Sequence, residues 1–116
     1  MENFRKLQVW SKAHELVLAT YKVTEVFPKS EMFCLVSQMR RAGISVVANI
    51  VEGSKRKTPK DRQHFLVMSE TSLEELKYYF ILSESLGYLN KVQVEELTAK
   101  AREVGRMLNG LYQSIN

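Results

Sequence analysis

Apolar residues recur with helical spacing along four long stretches of the chain. In the last stretch the steps between apolar positions alternate between three and four residues, which is typical of helices packed nearly parallel to one another. That series consists of Val94, Leu97, Ala101, Val104, Leu108, Leu111 and Ile115. The third stretch places three serines among the apolar residues of one face, which allows the backbone of a neighbouring helix to approach closely. We expect a shared core that contains Val46, Ile50, Leu76, Phe80, Leu97, Val104 and Leu108.

Three short breaks separate these stretches, and each contains residues that end or begin helices. The expected boundary residues are Pro28 and Ser30 in the first break, Gly53, Thr58 and Pro59 in the second, and Gly87, Asn90 and Gln93 in the third. The predicted helices span residues 5–26, 31–53, 59–86 and 91–115. Because short connections make successive helices antiparallel neighbours, the sequence predicts an all-α, up-down-up-down four-helix bundle in a single domain of residues 1–116.

The first predicted helix has an unusually wide apolar surface, which covers about 200° of the helical wheel. One apolar stripe contains Leu7, Trp10, Val17, Leu18 and Tyr21, with His14 inside it, and a second contains Val9, Ala13 and Leu16. A helix in a single bundle needs about half of this width, so the surplus favours an interface between subunits. The alternative is that the first helix is deeply buried among the long helices of its own bundle. The expected contact residues between subunits are Val9, Trp10, Ala13 and Leu16.

A polar stripe lies beside the apolar face of the second predicted helix, within an arc of about 80°. This stripe, which we call the polar seam, consists of Gln38, Arg41, Ser45, Asn49 and Glu52. Glu52 and Arg56 are spaced to form an ion pair within the helix, whereas Arg41 needs a partner on another helix or another subunit. We interpret the polar seam as a hydrogen-bonded network that fixes helix register. The alternative is a subunit contact or a surface that faces a ligand.

Positive charge is concentrated in one part of the chain, whose net charge is +4 overall. Five bases and one acid, Asp61, lie between residues 55 and 62, and the bases are Lys55, Arg56, Lys57, Lys60 and Arg62. Such a cluster is typical either of a surface that binds a partner with many negative charges or of a solvated loop that keeps the protein in solution. Cys34 is the single cysteine, and no signal peptide or membrane-spanning run is recognisable. We therefore expect a cytoplasmic protein without a membrane partner.

No set of residues points to an enzyme. Di-iron sites in helical bundles need two Glu-x-x-His pairs and two further glutamates, but this chain has two histidines and one Asp61-x-x-His64 spacing. There is no glycine-rich phosphate loop and no histidine close to Cys34 in the sequence. The sequence therefore predicts no metal, no cofactor and no catalytic residues.

An ordered set of short motifs resembles a known family. The motifs are Phe4-x-x-Leu7-x-Val9-Trp10-x-x-Ala13, Thr24-x-x-Phe27-Pro28-x-x-Glu31-x-Phe33, Gln38-x-Arg40-Arg41-Ala42-x-x-Ser45 and Asn49-Ile50-Val51-Glu52-Gly53. Together they resemble the four-helix-bundle proteins that are encoded in intervening sequences of bacterial large-subunit rRNA genes and are loosely labelled ribosomal proteins. The accessory variability proteins of diversity-generating retroelements are relatives of that family. Val51 and Thr71 depart from the pattern, which has alanine and glycine at these positions.

The resemblance implies a homopentamer and leaves the function open. Members that belong to retroelements bind a reverse transcriptase and nucleic acid, whereas the rRNA-encoded members have no established activity. We therefore expect a non-enzymatic homo-oligomer, possible partners being RNA or single-stranded DNA and, in a retroelement, a reverse transcriptase. The expected contacts with nucleic acid are Lys55, Arg56, Lys57, Lys60 and Arg62, extended by Arg40 and Arg41. The alternative is a protein-interaction scaffold that has no role with nucleic acid.

Overall fold

The computed structural model describes residues 7–115 as a bundle of four antiparallel helices. The helices are α1 (Gln8–Thr24), α2 (Leu35–Lys55), α3 (Pro59–Ser85) and α4 (Lys91–Ser114), and one 3-10 turn, Lys29–Glu31, precedes α2. Each helix packs against the next, and α1 also packs against α4, which closes the bundle. The described helices confirm the predicted all-α fold class.

The caps at the starts of α3 and α4, and the glycine that follows α3, are those that the sequence predicts. The side chain of Thr58 accepts a hydrogen bond from the backbone N–H of Asp61 at 3.1 Å, and Pro59 is the first residue of α3. At the start of α4, Asn90 and Gln93 bond reciprocally as a capping box. Gly87, with a φ of +82°, has the left-handed conformation that glycine adopts without strain. These local signals therefore fix the limits of α3 and α4 to within about one residue.

The predicted limits of α1 and α2 need correction. α1 begins at Gln8, the predicted start at residue 5 lies outside the described residues, and α1 ends at Thr24, two residues before the predicted end. α2 begins at Leu35, and Ser30 lies in the 3-10 turn instead of capping the helix. This turn is held in place by the hydroxyl of Tyr88, which donates to a carboxylate oxygen of Glu31 at 2.9 Å. The added turn explains why α2 starts four residues later than the sequence predicts.

Gly53 does not end α2 as predicted, because the helix continues to Lys55. Gly53 is buried, and a β-carbon placed there would lie 3.2 Å from the β-carbon of Phe65 on α3. The missing side chain thus allows α2 and α3 to approach closely. This glycine serves helix packing and not helix termination.

The predicted core is confirmed, since all seven of its members are buried. The contact between α2 and α3 is the most extensive in the bundle. It includes buried Ser69, whose hydroxyl donates to the backbone carbonyl of Val46 at 2.7 Å. As predicted for the serines of the third helix, this small residue allows the backbone of the neighbouring helix to come close.

The predicted subunit interface on α1 needs correction at three of its four residues. Val9, Ala13 and Leu16 are buried in the core of the single chain and do not lie on its surface. Trp10 is half-buried, and the other stripe faces outward, with Leu18 55% and Tyr21 38% exposed. The buried stripe was hard to recognise because it continues into two polar residues. The hydroxyl of buried Thr20 donates to the carbonyl oxygen of Leu16, and that of buried Thr24 donates to the carbonyl oxygen of Thr20, each at 2.8 Å.

Candidate nucleic-acid interface

The basic cluster forms a short elbow between α2 and α3, which we call the basic elbow and define as residues 55–62. α2 ends at Lys55 and α3 begins at Pro59, so three residues make the connection. The side chains of Lys55, Lys57 and Lys60 are exposed. These three lysines therefore present exposed positive charges at one end of the bundle, where phosphate groups could reach them.

Arg62 stabilises the basic elbow from within. Its Nε donates to the carbonyl oxygen of Arg56 at 3.0 Å, and its Nη2 donates to the carbonyl oxygen of Lys57 at 3.1 Å. Carbonyl groups at and just beyond the end of a helix lack partners within that helix, so a cation that binds them acts as a cap. Half-buried Arg62 therefore positions the elbow, a role that the sequence analysis did not assign to it.

Arg56 is also engaged within the protein. Its guanidinium forms the predicted ion pair with Glu52 at 2.9 Å. The same group lies over the ring of Phe65, 4.6 Å from its centroid. Because both partners of the ion pair are substantially exposed, the pair contributes little to stability. Its main effect is to hold Arg56 against α2 and α3.

The two remaining arginines of the prediction lie far from the basic elbow. Arg41 is fourteen residues before Lys55 on α2, which corresponds to about 21 Å along the helix. Arg40 donates to the hydroxyl oxygen of Thr24 at 3.1 Å and lies over the ring of Tyr21 at 4.4 Å. Arg40 thus ties α2 to the end of α1, while Arg41 is exposed. The structure does not bring the seven predicted bases together in one patch.

The polar seam is shorter than the sequence predicts. Its centre is a pair of hydroxyls, Ser45 on α2 and Ser72 on α3, whose oxygens lie 2.7 Å apart. The amide nitrogen of Asn49 donates to the carbonyl oxygen of Ser45 at 2.8 Å and to its hydroxyl oxygen at 3.2 Å. These three side chains are half-buried, whereas the remaining seam residues are exposed: Gln38, Arg41 and Glu52. Only the central part of the seam therefore fixes the register of α2 against α3.

Ser72 is the seam partner that the prediction missed. The sequence places it on the same face of the third helix as Ser69, so its small polar side chain could have suggested a bond across the helix pair. A helical wheel drawn for α2 does not show which residue of α3 faces a given position of α2. This partner follows from the register of α2 and α3, which requires the three-dimensional structure.

The described residues contain no group that resembles a metal centre. Across residues 7–115, no three histidine, cysteine or acidic side chains come close enough together to hold an ion. His14, Cys34 and His64 are each exposed. No helix in this part of the chain has the length and apolar character needed to cross a bilayer.

Comparison with known proteins places the fold and the sequence in a family. A protein with unknown function from the S23 ribosomal protein family of Bacteroides thetaiotaomicron VPI-5482 has a similar crystal structure, with a TM-score of 0.84 and 20% sequence identity. The alignment covers 91% of this chain and 96% of that one, and at this identity the likeness shows the fold. Curated proteins show no match to the sequence. The model of the 23S rRNA-intervening sequence protein family matches residues 5–110, so the chain belongs to that family.

Proposed function

We propose that this protein is a non-enzymatic homo-oligomer that binds RNA or single-stranded DNA through the lysines of the basic elbow. The proposal rests on the different roles of arginine and lysine in the elbow. Arg62 holds the backbone through two hydrogen bonds, while Lys55, Lys57 and Lys60 remain exposed. A fixed backbone with free lysine side chains suits contact with phosphate groups, which carry no sequence information.

The expected binding is weak for one subunit and sensitive to salt. Each phosphate contact on a single strand lowers the slope of log affinity against log salt by about 0.7. Three lysines therefore give a slope of roughly −2. An assembly that presents the elbow several times could raise the avidity by a factor of roughly 10² or more.

A charge-matched pair of triple variants tests this proposal. In the first, Lys55, Lys57 and Lys60 are changed to alanine. In the second, three exposed lysines outside the elbow are changed in the same way, namely Lys22, Lys29 and Lys91. Binding of a short oligouridine is measured by fluorescence anisotropy across a salt series. We expect the elbow variant to lose most of the salt slope and the control to keep most of it.

Two outcomes would overturn the nucleic-acid role. The first is that the parent protein does not bind the oligouridine at low salt. The second is that both triple variants lose affinity equally, since this would mean that only net charge matters. Arg56 and Arg62 are left unchanged in these variants, because their loss would disturb the backbone of the elbow as well as its charge.

The proposed assembly needs a different surface from the one that the sequence predicts, because Val9, Ala13 and Leu16 lie in the core. We propose the outer face of α3, where Val67, Tyr78 and Ile81 are exposed apolar or aromatic residues. A ring of five is implied by the family resemblance. Light scattering at micromolar concentration tests the assembly: an oligomer that a Tyr78→Lys and Ile81→Lys double variant dissociates supports this face. A monomeric parent protein would exclude the assembly.

A protein-interaction scaffold is the second candidate, and one observation favours it. At the end of the bundle opposite the basic elbow, Phe33 is 92% exposed and Val26 is 82% exposed. Exposed apolar side chains that form a contiguous patch mark surfaces that contact other proteins. A Phe33→Ser variant that loses partners in a high-salt pull-down, while it still binds oligouridine, would support this role.

A further inference from the structure

We infer that the outer face of the α1–α2 pair is a track for a single nucleic-acid strand, with His14 as a surface on which a base stacks. The inference rests on the proposed function and adds the kind of nucleic acid that the protein prefers. We define the α1–α2 outer face as Trp10, His14, Leu18 and Tyr21 on α1, with Arg40, Arg41, Ile44, Val51 and Lys55 on α2. This face begins at the basic elbow and runs along the outside of the bundle.

The register of α1 and α2 places the aromatic residues near the basic elbow. A β-carbon added at Gly43 would lie 3.5 Å from a methyl group of Val17, so these two residues face each other across the pair. Trp10 lies seven residues before Val17, and Lys55 lies twelve residues after Gly43. Because the helices are antiparallel, both steps run towards the same end of the bundle. They place Trp10 about 10 Å and Lys55 about 18 Å beyond the contact of Val17 with Gly43. Trp10 and Lys55 therefore differ by only about 8 Å in height.

The imidazole of His14 packs on a neighbouring aromatic ring. Its ring is stacked on the indole of Trp10, with centroids 5.0 Å apart and an angle of 12° between the planes. The indole covers one side of the imidazole, and the His14 side chain is exposed. A base that lies against the other side would extend the stack to three rings. Stacking of this kind tolerates any base, because every base has a flat π-face.

The charges on this face also suit a nucleic-acid strand. The two described helices carry one acid each, Glu15 on α1 and Glu52 on α2. Glu15 lies about 100° around α1 from His14, on the side where it pairs with Lys12 at 3.7 Å. Glu52 pairs with Arg56. Glu52 lies only about 20° from Arg41 around α2, so the α1–α2 outer face has one exposed acid at its edge, and that acid is already paired.

The cations lie at both ends of the track. Lys55 marks the end at the basic elbow, and Arg40 and Arg41 mark the other end, about 21 Å away along α2. Arg40 already packs on Tyr21, so the exposed Arg41 is the group available to a phosphate. Between these cations lie the stacked rings. Such alternation of cations and aromatic rings is how proteins hold single strands without reading their sequence.

The preference for a single strand follows from the geometry of stacking. In a duplex the flat faces of the bases are covered by their neighbours, so they cannot lie on an exposed imidazole. The lysines of the elbow can still contact the phosphates of a duplex. We therefore expect the protein to bind both forms through its charges and to gain additional affinity only for the single strand.

The test compares oligouridine with a blunt RNA duplex for the parent protein and for variants at position 14. We expect His14→Ala to weaken oligouridine binding by about tenfold, which is the scale of one lost base stack, and to leave duplex binding unchanged. His14→Phe restores the flat ring and should restore the affinity. Phe33→Ala, which removes an aromatic residue that is 92% exposed at the opposite end of the bundle, is the matched control. Trp10 is the only tryptophan, so its fluorescence should also change when oligouridine binds and not when the duplex binds.

The outcomes separate this inference from the proposed function. If the parent protein binds oligouridine and duplex equally well, and His14→Ala changes neither, the track is overturned while the role of the elbow stands. If the parent protein binds neither at low salt, the proposed function fails as well. Arg41→Ala gives a second measurement that does not alter the ring stack: we expect it to reduce the salt slope for oligouridine by about 0.7, and an unchanged slope would contradict the proposed course of the strand.

Discussion

The hydroxyl of Ser69 on α3 donates a hydrogen bond of 2.7 Å to the backbone carbonyl of Val46 on α2, in the centre of the bundle. Both side chains are buried. A hydroxyl that is satisfied by a neighbouring backbone avoids the cost of burying a polar group. Its small volume also lets α2 and α3 pack closely. The same helix pair is joined further along by the hydroxyls of Ser45 and Ser72, so small polar residues set the distance between the two helices.

Replacing Ser69 should therefore destabilise the protein, and a larger side chain should destabilise it more than alanine does. Ser69→Ala loses one hydrogen bond, which typically costs about 0.5–1.5 kcal/mol. Ser69→Leu loses the bond and overfills the site, so we expect a further loss of about 1–3 kcal/mol. Urea unfolding of both variants measures the difference. Equal stability of Ser69→Leu and the parent protein would contradict the close packing of α2 and α3.

Two glycines within helices should respond oppositely to alanine. In an open helical position, replacing glycine with alanine stabilises by about 0.5–1 kcal/mol. Gly110 on α4 is such a position, since a β-carbon there would meet nothing within 4 Å. At Gly53 the new β-carbon would lie 3.2 Å from that of Phe65, so we expect no gain and a net loss of stability. Thermal unfolding compares the two variants, and a stabilising Gly53→Ala would show that α3 can move away at no cost.

The sequence predicts the fold well wherever the signal is local. The caps at Thr58 and Asn90 depend on residues within three positions, and the heptad spacing of α4 identifies its buried face. Gly53 is different, because its neighbour Phe65 is twelve residues away and the same glycine fits a helix end equally well. The inward stripe of α1 was also ambiguous, since buried Thr20 and Thr24 look like surface residues until their bonds to backbone carbonyls are known.

The core register gives a direct test of the predicted and observed bundle. Leu108 on α4 is fully buried, and Leu108→Ala removes much of its side chain. We expect a loss of about 2–5 kcal/mol in the free energy of unfolding. Leu18→Ala is the matched control, because this leucine is 55% exposed on α1, and it should change the stability by much less. Similar losses for both leucines would contradict the burial pattern.

The bond between Tyr88 and Glu31 should make stability depend on alkaline pH. The hydrogen bond to Glu31 raises the pKa of the Tyr88 phenol above its ordinary value of 10.0, and burial and the negative charge of Glu31 act in the same direction. The folded protein thus holds this proton more tightly than the unfolded chain does. The resulting stabilisation is present below pH about 10 and is lost as the pH rises through the raised pKa.

Variants of Tyr88 and Glu31 isolate the contribution of their bond to the pH dependence of the unfolding free energy. Tyr88→Phe removes the titrating group, and Glu31→Gln removes the carboxylate that raises its pKa. The unfolding free energy of each variant is measured from neutral pH upward. We expect both to lose less stability than the parent protein above pH about 10. If the alkaline loss were the same in all three proteins, the bond would not contribute to it.

The functional residues were less predictable than the fold, and the arginines show why. Composition identifies Arg56 and Arg62 as part of a basic cluster, but it does not show that one lies over Phe65 and the other binds two backbone carbonyls. Lysines and arginines contribute equally to net charge, whereas the planar guanidinium forms several directed hydrogen bonds and packs on rings. In this elbow the arginines shape the backbone, and the lysines remain exposed.

The last prediction concerns Asn49, the half-buried residue at the centre of the polar seam. Its amide donates to the carbonyl and the hydroxyl oxygen of Ser45, which in turn bonds to Ser72. Asn49→Leu removes these donors but leaves the serine pair in place, so we expect a loss of about 0.5–1.5 kcal/mol. Gln38→Leu changes an exposed member of the same stripe and should alter the stability by no more than about 0.5 kcal/mol. Urea unfolding and light scattering are measured together on both variants. A change in assembly without a change in stability would make Asn49 a contact between subunits, and no change in either would show that this part of the seam is ordinary surface.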